Sequence, residues 1–251
     1  MPETFEKQDE KKPDGANLEK DRASAGPPDW ALARPELIQR LESRPGRLRL
    51  ALTGGAASGK SRVAALLTTL GAREVDLDLL SRRVSAPGTA GFRAMAEILG
   101  PEYISPEGAL NRAEIGRLAF ADQEIRRRLE DALHPLIWEA LDGEMAALDH
   151  EAAVAVGVPL LFEKGLHTLF RPIVMVFAGP AAQISRLQAR RPSLSRAEAE
   201  QIVEAQWPAA PKIKGSHFVV NNDGEWKATE RQVRTLWPRL LAGEHLLYAT
   251  Q

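Results

Sequence analysis

Eight consecutive residues, Gly54-Gly55-Ala56-Ala57-Ser58-Gly59-Lys60-Ser61, follow the pattern G-x-x-x-x-G-K-[ST]. The residue types suit one task, holding a chain of phosphates. Glycines let the backbone turn and approach phosphate oxygens without a Cβ in the way. Successive N–H groups then converge as an anion nest, and the start of a helix adds partial positive charge. In such a loop the Lys60 ammonium reaches the outer phosphates, and the Ser61 hydroxyl is a ligand for Mg²⁺. The apolar run Leu48–Thr53 precedes the loop and a helical pattern over Lys60–Leu70 follows it, which is the strand-then-helix setting the motif requires.

A second candidate group is Val75-Asp76-Leu77-Asp78. Read as the end of a strand, it puts the two carboxylates on one face, because residues i and i+2 share a side. A carboxylate at that place can accept a proton from an attacking hydroxyl or hold Mg²⁺ through water. The plainer reading is that Asp78 caps a helix starting at Leu79. Arg82 and Arg83 follow one turn later, available to a phosphate or to solvent.

These residues need elements to position them. Short apolar or acid-ended runs predict strands at Leu48–Thr53, Arg73–Asp76, Ala153–Val158, Ile173–Phe177 and His217–Asn221, separated by helical patterns. Strands alternating with helices imply a doubly wound parallel sheet with ligands at its carboxyl edge. Between the second and third strands lies a long helical stretch, with candidate helices at Ala90–Leu99, Ala113–Phe120 and Glu124–Leu148. Pro135 is expected to break or kink the last of these. This insertion, about 85–150, exceeds what a crossover needs and suggests a substrate-binding flap. Residues 1–34 read as a disordered charged tail, 35–46 as a short helix and linker, 47–240 as the folded domain, and 241–251 as a C-terminal tail.

Composition narrows the classes. The 251 residues, 44% hydrophobic and 27% charged, suffice for one globular domain. A formal net charge of −1 offers no bulk field for nucleic acid or anionic membrane. The chain has no cysteine, which excludes disulfides, thiolate catalysis and cysteine-based zinc sites. With no signal-like or membrane-spanning segment, a cytoplasmic protein is expected.

Taken in order, LTGGAASGKS, DLDLLSR, HPLI and VPLLFE resemble the dephospho-CoA kinase family, over about Leu48 to Trp237. The resemblance implies a P-loop kinase-like three-layer α/β fold, with a five-stranded doubly wound parallel sheet, a helical acceptor-binding insertion and a lid at about 186–214. It implies ATP and Mg²⁺ as cofactors and ATP and dephospho-CoA as small-molecule substrates, with phosphorylation of the acceptor's ribose 3′-hydroxyl. Carried residue by residue, Asp78 is the implied general base, with Lys60 and Arg190 as further catalytic groups. Gly54–Ser61, Arg62, Arg186 and Asn221 are the implied nucleotide contacts, and Ser61 the metal ligand. Asp76, Asp78, Arg82, His134, Pro159 and Leu160 are the implied acceptor contacts. Gln206, Pro208 and Lys212 match a lid-return segment.

Several positions depart from the family pattern. Arg62 stands where a second hydroxyl residue is common, Trp138 where an arginine often follows HPLI, Leu77 where a small residue separates the acids, and Asn111 where aspartate is frequent. The lid turn reads Arg191-Pro192-Ser193-Leu194, followed by a Ser195-x-x-Glu198 capping box. Trp207 falls in the expected lid. Glu163 is open to a helix cap or a substrate contact. Two alternatives stand beside the main reading: a P-loop kinase of another small hydroxylated acceptor, and a nucleotide-binding regulator with weak catalysis.

Overall fold

The computed structural model describes residues 34–244; the expected tail over 1–33 and the end of the chain over 245–251 lie outside the described residues. Helix α1 (Pro35–Leu41) leads into strand β1 (Leu48–Gly54), helix α2 (Lys60–Thr69) and strand β2 (Arg73–Asp76). The insertion then supplies α3 (Leu77–Val84), α4 (Ala90–Leu99), α5 (Arg112–Ala121) and the long α6 (Gln123–Ala147). Strands β3 (Ala153–Gly157) and β4 (Ile173–Phe177) follow. Helices α7 (Pro180–Arg190), α8 (Arg196–Glu204) and α9 (Ala209–Gly215), strand β5 (Phe218–Asn221) and helix α10 (Trp226–Leu241) complete the order.

The sheet runs β2-β3-β1-β4-β5, and every pairing is parallel. The central strands are buried on both faces, which is why they read as continuous apolar runs rather than alternating ones. Period-two geometry sends Leu48, Leu50 and Leu52 to one layer with Val63, Leu67, Val233 and Trp237, from α2 and α10. The opposite face brings Ala51, Val154, Val156 and Ile173 against Trp138, Leu141 and Met145 of α6 and Leu37 and Leu41 of α1. Trp138, at the position where the family pattern has arginine, is therefore a core side chain, 3% exposed. The insertion has its own small core of Met95, Leu99, Leu110, Ile115 and Leu129.

Two local expectations are corrected. Pro135 does not interrupt α6, which is continuous over Gln123–Ala147. A proline removes one N–H, and the partner it would have had is the carbonyl of Asp131, an exposed residue whose carbonyl water can satisfy. Asp78 does not cap a helix starting at Leu79, nor does it share a strand face with Asp76. Strand β2 ends at Asp76, whose carboxylate accepts from the Asp78 and Leu79 amides at 2.7 and 3.2 Å and turns the chain into α3 between the two acids.

The carboxyl end of α6 is tied to the sheet by Arg49, a fully buried arginine inside β1. Its guanidinium donates to the carbonyls of Leu48, Glu151, Leu148 and Asp149 at 2.9, 2.9, 3.1 and 3.4 Å. Burial, then the neighbouring Arg47, lower its pKa to about 10, so it stays charged at neutral pH. A cation at the negative end of a helix is favourable as well as being its hydrogen-bond donor. Arg49→Met removes these bonds from buried carbonyls and is expected to destabilise the fold by about 3 kcal/mol or more. Denaturant unfolding checks this; a loss below about 1 kcal/mol would show that the carbonyls find other partners.

Candidate active site

The phosphate-binding loop joins β1 to α2 over Gly54–Ser61 and needs glycine at two crowded positions. A Cβ on Gly54 would lie 2.5 Å from Ser58 Oγ and 2.6 Å from the Val176 carbonyl oxygen. Gly59 has φ +96°, and a Cβ there would lie 2.1 Å from Asn222 Nδ2. Ala57 is a non-glycine residue at φ +53°. That conformation costs about 1–3 kcal/mol and is held here by packing of Ala57 against Leu187 of α7 and Ala199 of α8.

Three side chains hold the loop from outside. Asn222 Nδ2 donates to the Ser58 carbonyl at 2.7 Å, and Asn222 Oδ1 accepts from Thr229 Oγ1 at 2.8 Å. Arg186 donates to the carbonyls of Ala57 and Ser58, both at 3.4 Å, and to that of Asn222 at 2.6 Å. Gln206 Oε1 accepts from the Ala56 amide at 2.9 Å. The amides of Ala57, Gly59, Lys60 and Ser61 donate to no protein group among the described residues. The loop thus presents unpaired N–H groups at the head of α2, the arrangement an anion completes.

A cleft of about 410 Å³ is lined by all eight loop residues together with Asp78, Pro159, Leu160, Arg190, Ile202 and Gln206. Here residues from five separate parts of the chain meet. Gly157 at the end of β3 leaves room beside them: a Cβ there would sit 3.4 Å from Lys60 Nζ and 3.7 Å from Asp76 Oδ2. Asp78 is open to the cleft, yet surrounding protein raises its carboxyl pKa. Burial is the largest cause and Asp76 adds to it, while Lys60 and Arg82 pull the other way. Ser61 is exposed on the first turn of α2, so its hydroxyl is available to a cation accompanying the phosphates. Among the described residues no group of three or more His, Asp or Glu side chains forms a metal site of its own.

The other expected residues lie outside this lining. Asp76 is occupied as the α3 cap. The Arg62 guanidinium sits 4.0 Å from the centroid of the Trp226 ring. Arg186 backs the loop. Asn221 ends β5 exposed, its Oδ1 accepting from the Asp223 amide at 2.9 Å; the neighbouring Asn222 is the residue that reaches the loop. Arg82 lies one turn beyond Asp78 on α3. His134 is half-buried on α6, and burial, then Lys164, lower its pKa so that the ring is neutral near pH 7.

Sequence reasoning missed the roles of Asn222, Gln183 and the Gln206 carboxamide. Gln183 is 8% exposed, and its Nε2 would lie 2.4 Å from a Cβ on Gly55. No local pattern marks a lone glutamine on a helix, so only the folded chain shows it. Glu163, left open by the sequence, and Lys212, expected in the lid-return segment, form a buried ion pair that fastens α9 to the segment after β3. Trp207 packs on the core layer that holds Trp138 and Phe162.

Sheet, loop and covering helices together define a P-loop phosphotransferase of kinase architecture. A dephospho-CoA kinase family model matches residues 48–228. A dephospho-CoA kinase of Geobacter metallireducens is 40% identical over 192 residues, 76% of this chain and 95% of its own length. One from Geobacillus kaustophilus is 35% identical over 188 residues, 74% and 93%. A crystal structure from Thermus thermophilus superposes with a TM-score of 0.67 at 32% identity, covering 76% of this chain and 96% of that one. The dephospho-CoA kinase structure from Campylobacter jejuni, at 20% identity and TM-score 0.58, shares the fold. The chain belongs to the dephospho-CoA kinase family. No described helix is long and apolar enough to cross a membrane.

The loop's charge complement generates a binding prediction. Lys60→Ala removes the ammonium from the cleft and is expected to weaken ATP binding at least 10-fold, the scale of one charge-assisted hydrogen bond. Titration calorimetry measures it, and an unchanged Kd would place the nucleotide phosphates elsewhere.

Proposed function

We propose that the chain transfers the terminal phosphoryl group of ATP to the ribose 3′-hydroxyl of dephospho-CoA, giving coenzyme A and ADP. The observation that carries this reading is the presence of Asp78 and the unpaired loop amides on the walls of one cleft. The loop amides and Lys60 hold the ATP phosphates. Mg²⁺ bound with the nucleotide neutralises phosphate charge, and Ser61 is the side chain suited to hold it.

Asp78 accepts the proton of the 3′-hydroxyl. As the O3′–P bond forms, the bond from the terminal phosphorus to its bridging oxygen breaks and ADP leaves with that electron pair. The proton on Asp78 passes afterwards to solvent. Asp76 positions Asp78 through its backbone amide, and Arg190 stabilises charge on the phosphoryl group in transit. Arg62, Arg186 and Asn221 are assigned to the nucleotide side, acting on or through the loop. Arg82, His134, Pro159 and Leu160 are assigned to the acceptor; the exposed Leu160 offers an apolar contact for a ring. The Arg186–Lys212 region acts as the lid. Closure excludes the water that would otherwise take the phosphoryl group.

Two outcomes follow. ADP release, followed in a coupled assay, should depend on added dephospho-CoA; ADP release unaffected by dephospho-CoA but stimulated by another hydroxyl compound would move the assignment to that acceptor. The activity should also fall on the acid side. The free carboxylate is the active form and its pKa is raised, so kcat/KM drops as pH falls through a value above the usual aspartate range. Asp78→Asn should retain ATP affinity, lose about 10²-fold or more in kcat, and lose that acid limb. A mutant with wild-type turnover would reassign the base.

A further inference from the structure

The turn that follows β3 is tied to two different parts of the molecule. It first closes on itself: the Lys164 amide donates to the Leu160 carbonyl at 3.1 Å, and the Gly165 amide to that of Phe162 at 3.0 Å. Gly165, at φ +66°, lets the chain leave this tight turn. Leu161 and Phe162 are buried beneath it, so Leu160, with Pro159 beside it, is left facing the cleft. Phe162 lies hard against α9: a Cβ on Gly215 would come within 2.6 Å of its Cε1.

The two residues after Phe162 reach in different directions. Glu163 pairs with Lys212 of α9, which is 4% exposed. Lys164 Nζ lies 2.5 Å from Glu130 Oε2 of α6, one turn before His134 on that helix. The stretch of chain that ends at Lys212 begins at Gln206, whose Oε1 accepts from the Ala56 amide at 2.9 Å. Side-chain contacts and one short piece of backbone therefore lead from the phosphate loop, through the lid return and the Leu160 turn, to the helical insertion. A buried ion pair is a poor way merely to fasten two segments, because apolar side chains of similar volume hold them at least as well.

We propose that Glu163 and Lys164 are positioning residues for the acceptor: through Lys212 and Glu130 they hold the Leu160 turn in register with the lid return on one side and the insertion on the other. This deepens the acceptor reading above and rests on it. Neither residue touches the reacting atoms; each fixes the wall against which the acceptor seats. Because one turn is fastened to both bodies, an acceptor seated on Leu160 and a closed lid stabilise each other. Water is then kept from the phosphoryl group when the hydroxyl is in place to receive it.

Initial rates at saturating ATP over a range of dephospho-CoA, with ADP and coenzyme A both quantified, test this on wild type, Lys164→Met, Lys212→Arg and Glu163→Met combined with Lys212→Met. The double variant removes both buried charges, so neither is left without its partner. It should raise KM for dephospho-CoA about 10-fold or more and release more than one ADP per coenzyme A formed, with the Kd for ATP within about 3-fold of wild type. Lys212→Arg keeps the pair and should retain most of the acceptor affinity. Lys164→Met cuts the half-buried tie to α6 and should raise the same KM by about 3- to 10-fold. A double variant with an unchanged dephospho-CoA KM and one ADP per coenzyme A overturns the proposal, as does an equal loss of ATP affinity, the mark of a general disturbance of the fold. Should the double variant fail to fold by thermal unfolding, Lys164→Met decides by the same comparison. Wild-type protein that makes no product from ATP and dephospho-CoA defeats the acceptor reading instead, a separate outcome from wild-type-like kinetics in the variants.

Discussion

A loop that binds phosphate must leave its inward N–H groups unpaired, and an unpaired loop collapses onto itself unless its other polar groups are held from outside. That constraint organises this structure. Asn222 and Arg186 take carbonyls of the loop, and Gln206, on the cleft wall, takes the Ala56 amide. They come from the turn after β5, from α7 and from the segment leading to α9, so three late parts of the chain exist in part to hold an early one. Ala57, in a strained conformation, is held the same way by apolar contacts with α7 and α8. The covering helices are therefore part of the loop's support as well as its lid.

The second organising feature is a short line of alternating charge. Lys60 and Arg82 both act on the Asp78 carboxylate between them. For Asp78, burial outweighs the two cations and raises the pKa. A carboxylate made more basic in this way suits proton abstraction from a hydroxyl. The Asp76 cap matters here because it moves Asp78 off the strand and onto the first turn of α3, aimed into the cleft beside the loop.

Much of this was legible in the residues. The five strands and the loop follow from apolar runs and glycine spacing, because central parallel strands are buried on both faces and a phosphate loop tolerates few substitutes. The Ser195 capping box forms as its spacing implies, with Glu198 accepting from the Ser195 amide at 2.8 Å. What escaped was set by tertiary context. Pro135 reads as a helix breaker, but its missing bond falls on an exposed turn. Asp76 and Asp78 look equivalent in sequence, and only the strand-to-helix turn separates a cap from a cleft residue. Asn222 lies next to the expected Asn221, a one-residue difference that strand geometry decides. Trp138 looks like a lost acceptor contact and is a core residue. Gln183 carries no local signature, since its meaning depends on the loop more than a hundred positions away.

Phosphorus NMR of the product reads directly which hydroxyl has received the phosphoryl group. Incubation of the protein with Mg-ATP and dephospho-CoA is predicted to yield a new phosphomonoester resonance correlated with the ribose H3′ proton. A new resonance correlated with H2′, or inorganic phosphate as the only new phosphorus species, would contradict it.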